Sequence, residues 1–278
     1  ESAPPLIAVR GAVHLLGRPM IAVVGSRNAS ANGVRFAREI AAELGATGLV
    51  VVSGMARGID AAAHQGALVT GTVAVVAGGV DHIFPPENAD LYERIVTAGV
   101  VVSEQPPGFK PFARHFPQRN RIIAGLGLGT LVVEAAPQSG SLITARLANE
   151  QGREVMAVPG SPLDPRAHGT NNLIREGATL VERGADVLTA LGPALGAKFT
   201  EPPAAGPAFG PFEPAPTPET EIEKARGLLA EKLSPTPVPV DELIRQCQVS
   251  ASAVLVALLE LELAGRLGRE PGNRVFIK

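Results

Sequence analysis

The chain has 278 residues, with 25 Lys plus Arg against 27 Asp plus Glu and a formal net charge of −2. That balance excludes a protein that holds nucleic acid by bulk positive charge, so any such contact has to come from a local patch. The single cysteine, Cys247, excludes an intramolecular disulfide framework and a multi-cysteine metal site, and no run of 18 or more apolar residues points to a membrane span. Glu1 is not an initiator Met and no signal-like segment follows it, so the chain reads as a trimmed cytoplasmic protein. Its length suits one large and one small domain.

Short apolar runs recur at Ile21–Val24, Leu49–Val52, Thr72–Ala77, Val100–Val102, Thr130–Val133 and Val155–Val158. Unalternating Val/Ile/Leu runs of this length predict strands buried on both faces of a parallel sheet. Segments with helical apolar spacing lie between them, at Gly33–Leu44, Ile59–Val69, Asn88–Ala98, Ser141–Gln151 and Asn171–Glu176. The alternation predicts an α/β fold, a Rossmann-like doubly wound and mostly parallel sheet over residues 1–191.

From Gly192 to Pro218, eight of 27 residues are Pro, and the segment reads as a semi-rigid linker without helix or sheet. Residues 219–278 follow as a small domain. Glu219–Lys232 is predicted helical, a second helix starts at Pro239, and Ser250 caps a third that runs to about Ala264. Arg266–Arg269 and Arg274–Ile277 read as a terminal hairpin. Three helices and a hairpin predict a winged helix.

Four motifs sit where a strand hands over to a helix or beside such a turn. Gly25-Ser26-Arg27 follows the first buried strand, where open α/β sheets bind ligands. Ser53-Gly54-Met-Ala-Arg57-Gly58-Ile59-Asp60 follows the second, and the amides opening the next helix form a potential anion site. Asp60 and His64 are spaced for a local hydrogen bond. From Gln105 to Val133 no acidic residue occurs, while Lys110, Arg114, His115, Arg119 and Arg121 interleave with Phe109, Phe112 and Phe116, and Asn120 lies among them. Cations interleaved with aromatics neutralise phosphates and stack unpaired bases. Ser139-Gly140-Ser141 opens a helix as either a cap or a phosphate turn. Gly169-Thr170-Asn171 has the same two readings. Gly125-x-Gly127-x-Gly129 precedes a strand, which makes it a poor cofactor signal. No Gly-x-Gly-x-x-Gly or P-loop pattern occurs, no nucleophile pairs with a base, and the five His lack metal-ligand spacing. No cofactor, metal or catalytic residue is expected.

Val-Val-Gly25-Ser-Arg27, Ser53 through Asp60, Phe116-Pro-Gln-Arg-Asn-Arg-Ile-Ile-Ala124, Glu134-Ala, Ser139 through Ala145 and Gly169-Thr-Asn171 together resemble the DprA/Smf family of natural transformation. The resemblance covers about residues 5–190. It implies a non-enzymatic protein that binds single-stranded DNA, protects incoming strands, loads RecA recombinase and forms a homodimer. It also implies that Gly25–Arg27 and Lys110 through Arg121 line the strand-binding pocket. Many members carry a helical domain before the sheet, which is expected to be missing here. The third helix of the winged-helix region has no Lys or Arg and contains Glu260 and Glu262, and residues 219–278 total eight basic against nine acidic residues. That composition favours protein contact over a DNA groove.

The alternative is an enzyme, a nucleotide phosphoribohydrolase on the same sheet, or a nucleotide sensor without turnover. The hydrolase class resembles Pro-Gly-Gly-x-Gly-Thr-x-x-Glu. Here Leu126-Gly-Leu-Gly129-Thr130-Leu-Val-Val-Glu134 lacks the Pro-Gly-Gly and brings its Glu one residue late, which turns a strand carboxylate to the other face.

Overall fold

The computed structural model describes residues 3–196, 219–270 and 273–278. They divide into an N-terminal and a C-terminal compact unit. The N-terminal unit runs β1 (Ala8–Gly11), β2 (Met20–Val24), α1 (Ala31–Ala46), β3 (Val50–Ser53), α2 (Ile59–Ala67), β4 (Thr72–Val75), α3 (Ala89–Ala98) and β5 (Val100–Ser103). It continues through α4 (His115–Leu126), β6 (Gly129–Val132), α5 (Gly140–Glu150), β7 (Glu154–Ala157), α6 (His168–Arg175), β8 (Thr179–Leu180) and α7 (Gly184–Leu195).

These strands form one sheet in the order β1-β5-β4-β3-β2-β6-β7-β8. All pairings are parallel except β1 against β5, which places Ala8 opposite Ser103 and Gly11 opposite Val100. The pleat divides the buried strand residues between two covered faces. Val50, Val52, Val73, Val75 and Val132 pack with Ile122 and Ile123 of α4 on one face. Ala74 and Val101 pack with Leu91, Tyr92 and Ile95 of α3 on the other. Period-2 burial on both faces explains why every predicted strand reads as a continuous apolar run.

Several elements escaped the sequence reading, the two-residue strand β8 among them. The edge strand β1 is half-exposed and lacks a continuous apolar run. Helix α4 carries Pro117, which reads as a breaker but occupies the first turn, where its missing N–H has no intrahelical partner to lose. Helix α7 corrects the linker boundary. It runs through Gly192–Leu195 with Pro193 in its last turn. Its start is fixed by Asp186, which accepts from the amides of Glu182 and Arg183 at 2.9 and 3.1 Å. The rest of the expected linker, residues 197–218, lies outside the described residues.

The chain leaves β2 toward β3 on one side and, after β5, crosses to β6 on the other. The strand order therefore reverses between β2 and β6, and a crevice opens beyond their carboxyl ends. The loops carrying Gly25–Arg27 and Glu134–Ser139 border this switch point.

The C-terminal unit comprises α8 (Glu219–Lys232), β9 (Val238–Pro239), α9 (Val240–Cys247), α10 (Ala251–Leu263), β10 (Leu267–Glu270) and β11 (Arg274–Ile277). Its sheet has the order β10-β11-β9. Leu229, Leu243, Val254, Leu258 and Val275 fill its core. This is a winged helix, and Ser250 caps α10 by accepting from the Ala253 amide at 3.4 Å. Among the described residues no helix is long and apolar enough to cross a membrane.

Candidate nucleic-acid interface

The switch-point loops are built on buried polar struts. Ser53, at the end of β3, is fully buried and donates its hydroxyl to the Val23 carbonyl at 2.6 Å. The Asp60 carboxylate accepts from the amides of Gly54 and Ala56 at 3.1 and 3.3 Å. Arg119, reaching down from α4, is buried and donates to the carbonyls of Gly54 and Val75. Burial pushes the Asp60 carboxyl up, while the neighbouring Arg119 charge and the two amides pull it back. Burial lowers Arg119 to about 10, against the pull of Asp60 and with a small push from Arg27, so the guanidinium stays charged at neutral pH.

The Asp60–His64 hydrogen bond expected from their spacing does not form. His64 Nδ1 lies 2.8 Å from the Thr72 hydroxyl, which itself donates to the Val51 carbonyl at 2.7 Å. Nδ1 therefore carries the proton and donates to Thr72. The ring is fully buried, and its pKa is pushed down to about 3 by desolvation and by the Arg119 charge.

Above this layer the first loop is pinned against α2. The Ile59 amide donates to the Ser26 carbonyl at 3.2 Å. Gly58 adopts φ +72°, and a Cβ there would stand 2.3 Å from the Ser26 oxygen, so only glycine lets the two loops touch. Gly25 packs as closely on the Ile59 side chain. The amides of Gly54, Ala56 and Ile59 are thus consumed within the chain, and the anion site expected at the start of α2 is filled by the protein itself. What the clamp presents outward is Arg27. Its exposed guanidinium stands 5.8 Å from the ring centroid of Phe116 on α4.

Around that pair the segment before α4 displays Lys110, Phe112 and Arg114 to solvent. Arg114 lies 5.8 Å from the Phe112 ring. His115 is buried and structural. It accepts from the Phe112 amide at 2.9 Å and makes edge contact with Phe109 at 5.0 Å. Two residues that the sequence did not single out complete the surface. Phe84, half-exposed, packs on Phe116 with centroids 5.3 Å apart. Asp81 accepts the Gly108 amide on both carboxylate oxygens at 2.8 and 2.9 Å, and this amide holds its carboxyl below the usual range. It fixes the loop ahead of Lys110. Phe84 follows a different strand and has no cationic neighbour in sequence, so only the fold brings it to the patch.

The remaining candidates divide by partner. Arg121 pairs with Glu104, and exposed Arg57 pairs with Glu87 at 3.5 Å. Asn120 donates to the Gly140 carbonyl at 3.2 Å and ties α4 to α5. Ser139 caps α5 by accepting from the Ser141 amide, the two hydroxyls lie 2.7 Å apart, and the space above Gly140 is open. The Gly169 amide donates to the Ala135 carbonyl, and buried Thr170 donates to the Ala167 carbonyl. Asn171 bridges both backbone polar groups of Gly160 at 2.9 and 3.1 Å. Arg119, Ser53, Thr170 and His115 therefore support the surface from beneath, and Gly169 and Asn171 shape a neighbouring loop. Arg27, Lys110 and Arg114 carry no carboxylate partner among the described residues.

The carboxylate of Glu134 lies against the first turn of α1, where a Cβ on Gly33 would stand 2.5 Å from it. Gly127 and Gly129 serve packing, the first against Ala22 of β2 and the second against Met156 and Leu191. Among the described residues no group of His, Cys, Asp and Glu is arranged to hold a metal.

Residues 1–192 match the family model described as DNA recombination-mediator protein A, and residues 213–273 match that of the DprA winged helix domain. Protein Smf of Synechocystis is 37% identical over 276 residues, covering 92% of this chain and 69% of that protein. DNA processing protein DprA of Streptococcus pneumoniae is 48% identical over 188 residues, covering 67% of this chain and 66% of that one. Its X-ray structure superposes with a TM-score of 0.65. A Helicobacter pylori DNA processing protein A, whose structure is described by its single-stranded DNA binding mode, superposes with a TM-score of 0.64 at 28% identity, covering 69% of this chain and 88% of that one. The chain spans about two thirds of the length of these curated relatives.

Proposed function

This chain belongs to the DNA recombination-mediator protein A family, and on that premise we propose that it binds single-stranded DNA at the switch-point surface of its N-terminal unit during natural transformation. The observation that carries the reading is Arg27 lying over the Phe116 ring, with Lys110 and Arg114 unpaired beside it. Phosphates are neutralised by Arg27, Lys110 and Arg114, and splayed bases stack on Phe116, Phe84 and Phe112. Neither contact reads base identity, so binding is tolerant of sequence. A duplex presents no unstacked base faces to the phenylalanines, so single strands are preferred.

The family premise extends the role to protecting incoming strands, delivering them to RecA and acting as a homodimer. The protein works without turnover. Its buried Asp60 and Arg119 are spent on holding loops, and Glu134 is turned toward α1. Titration of oligo-dT against the matching duplex at one salt concentration tests the binding role. Tighter binding of the single strand is the expected result, and equal affinity contradicts it. Release of free base from a nucleoside monophosphate would instead favour the hydrolase.

A further inference from the structure

Four carboxylates in and around the switch-point loops serve the fold. Asp60 holds the amides of Gly54 and Ala56, Asp81 holds that of Gly108, Glu104 meets Arg121, and Glu134 faces α1. Glu87 differs. Its side chain is half exposed and meets Arg57 at 3.5 Å, and Arg57 is equally open to solvent. The backbone sets this pair from both sides. Asn88 is buried and donates its side-chain amide to the Met55 carbonyl at 2.8 Å and to the Ala56 carbonyl at 3.4 Å. That bond ties the turn Pro86–Asn88 to the loop that carries Arg57. On the other side, a Cβ on Gly58 would stand 2.3 Å from the Ser26 oxygen and 2.6 Å from the Arg27 oxygen. Arg57 is therefore next in the chain to the clamp that presents Arg27. Glu87 is three residues from Phe84, whose ring packs on Phe116. A fourth cation thus borders the patch, and an acid is fixed opposite it.

We propose that Glu87 is a built-in competitor for the strand: it holds Arg57 out of phosphate contact and limits the grip to Arg27, Lys110 and Arg114. This rests on the single-strand reading above, whose affinity it sets. The guanidinium of Arg57 is neutralised by its carboxylate neighbour, so a phosphate arriving there meets the repulsion of Glu87 and has to displace it. An exposed ion pair contributes little to folding, so Glu87 acts on binding far more than on stability. The glutamate thereby keeps the strand releasable, and its loss converts Arg57 into a fourth phosphate ligand.

Oligo-dT binding by the intact chain across a salt series tests this. Glu87→Gln removes the charge and keeps the shape, and it should keep the parent Tm. It should bind about tenfold tighter, the low end of a charge-assisted phosphate contact. The slope of log K against log salt should steepen by about 0.7, one further single-strand phosphate. In the double variant Arg57→Ala/Glu87→Gln, the slope should return to that of the parent and the affinity to within about twofold of it. A double variant that keeps the tenfold gain reports a general loss of negative charge instead of a released Arg57, and overturns the assignment. Glu87→Gln binding the strand no tighter than the parent overturns it too, and where the parent still prefers the single strand it does so without touching the binding role. A parent that binds duplex and single strand equally contradicts the binding role itself and takes this assignment with it.

Discussion

The two units use charge in opposite ways. The N-terminal unit buries Asp60, His64 and Arg119 beneath its switch-point loops and exposes Arg27, Lys110 and Arg114, which have no carboxylate partner among the described residues. The C-terminal unit matches Arg226 with Glu260, Arg245 with Glu242 and Arg269 with Glu262, and its helix α10 exposes leucines and carries no Lys or Arg. The outer helix of a winged helix reads a groove through cations or amides, and here the unpaired cations lie instead on loops at the carboxyl ends of the N-terminal sheet. Fold and ligand are thus separable, and the location of unpaired charge is the better guide.

The comparison breaks first at the buried layer. Arg119→Ala removes the partner of a buried carboxylate and two carbonyls, and should cost about 3–5 kcal/mol, which lowers Tm by roughly 10 °C. Thermal melting checks this. An unchanged Tm with lost DNA affinity would return Arg119 to the binding surface.

A pH series probes the same layer. The His64 pKa falls from 6.5 in the unfolded chain to about 3 when folded, so the unfolded state binds the extra proton between those values. Stability should be fully present above pH 6.5 and decline toward pH 3, with a slope of up to about 1.4 kcal/mol per pH unit from this one group. Chemical denaturation of the parent and of His64→Gln measures it, and the variant should show the shallower acid limb.

At the surface, Arg27→Ala should leave Tm unchanged and weaken oligo-dT by about 1.5–3 kcal/mol, the worth of a charge-assisted phosphate contact. Phe116→Ala should cost about 1–3 kcal/mol through lost stacking. The double variant should cost less than the sum, because the ring and the guanidinium position each other. The smallest effect belongs to the C-terminal unit. Arg226→Ala removes an exposed ion pair and should leave Tm unchanged in a melting experiment.

Much of this arrangement could be read from the residues. Six unalternating apolar runs announced a sheet covered on both faces, and the strand-to-helix turns at Gly25–Arg27 and Ser139–Ser141 border the reversal of strand order. Side-chain direction was not legible. Arg119 and Arg121 stand two apart on α4, and one turns inward to the loop carbonyls while the other meets Glu104. Sequence spacing alone gives no sign of which cation will be consumed internally. Phe84 joins the patch from the loop after β4, and His64 bypasses Asp60 for Thr72 because β4, not its own helix, supplies the nearest hydroxyl.

The nucleic-acid charge is proposed to lie in the N-terminal unit. The salt dependence of oligo-dT affinity, measured for the intact chain and for residues 1–196, tests it most directly. Three free cations predict a slope of log K against log salt of about −2, at roughly −0.7 per neutralised single-strand phosphate. Both proteins should give that slope and closely similar affinities. A folded 1–196 fragment with a markedly shallower slope, or with no binding, would place the phosphate contacts in the winged helix and contradict the account.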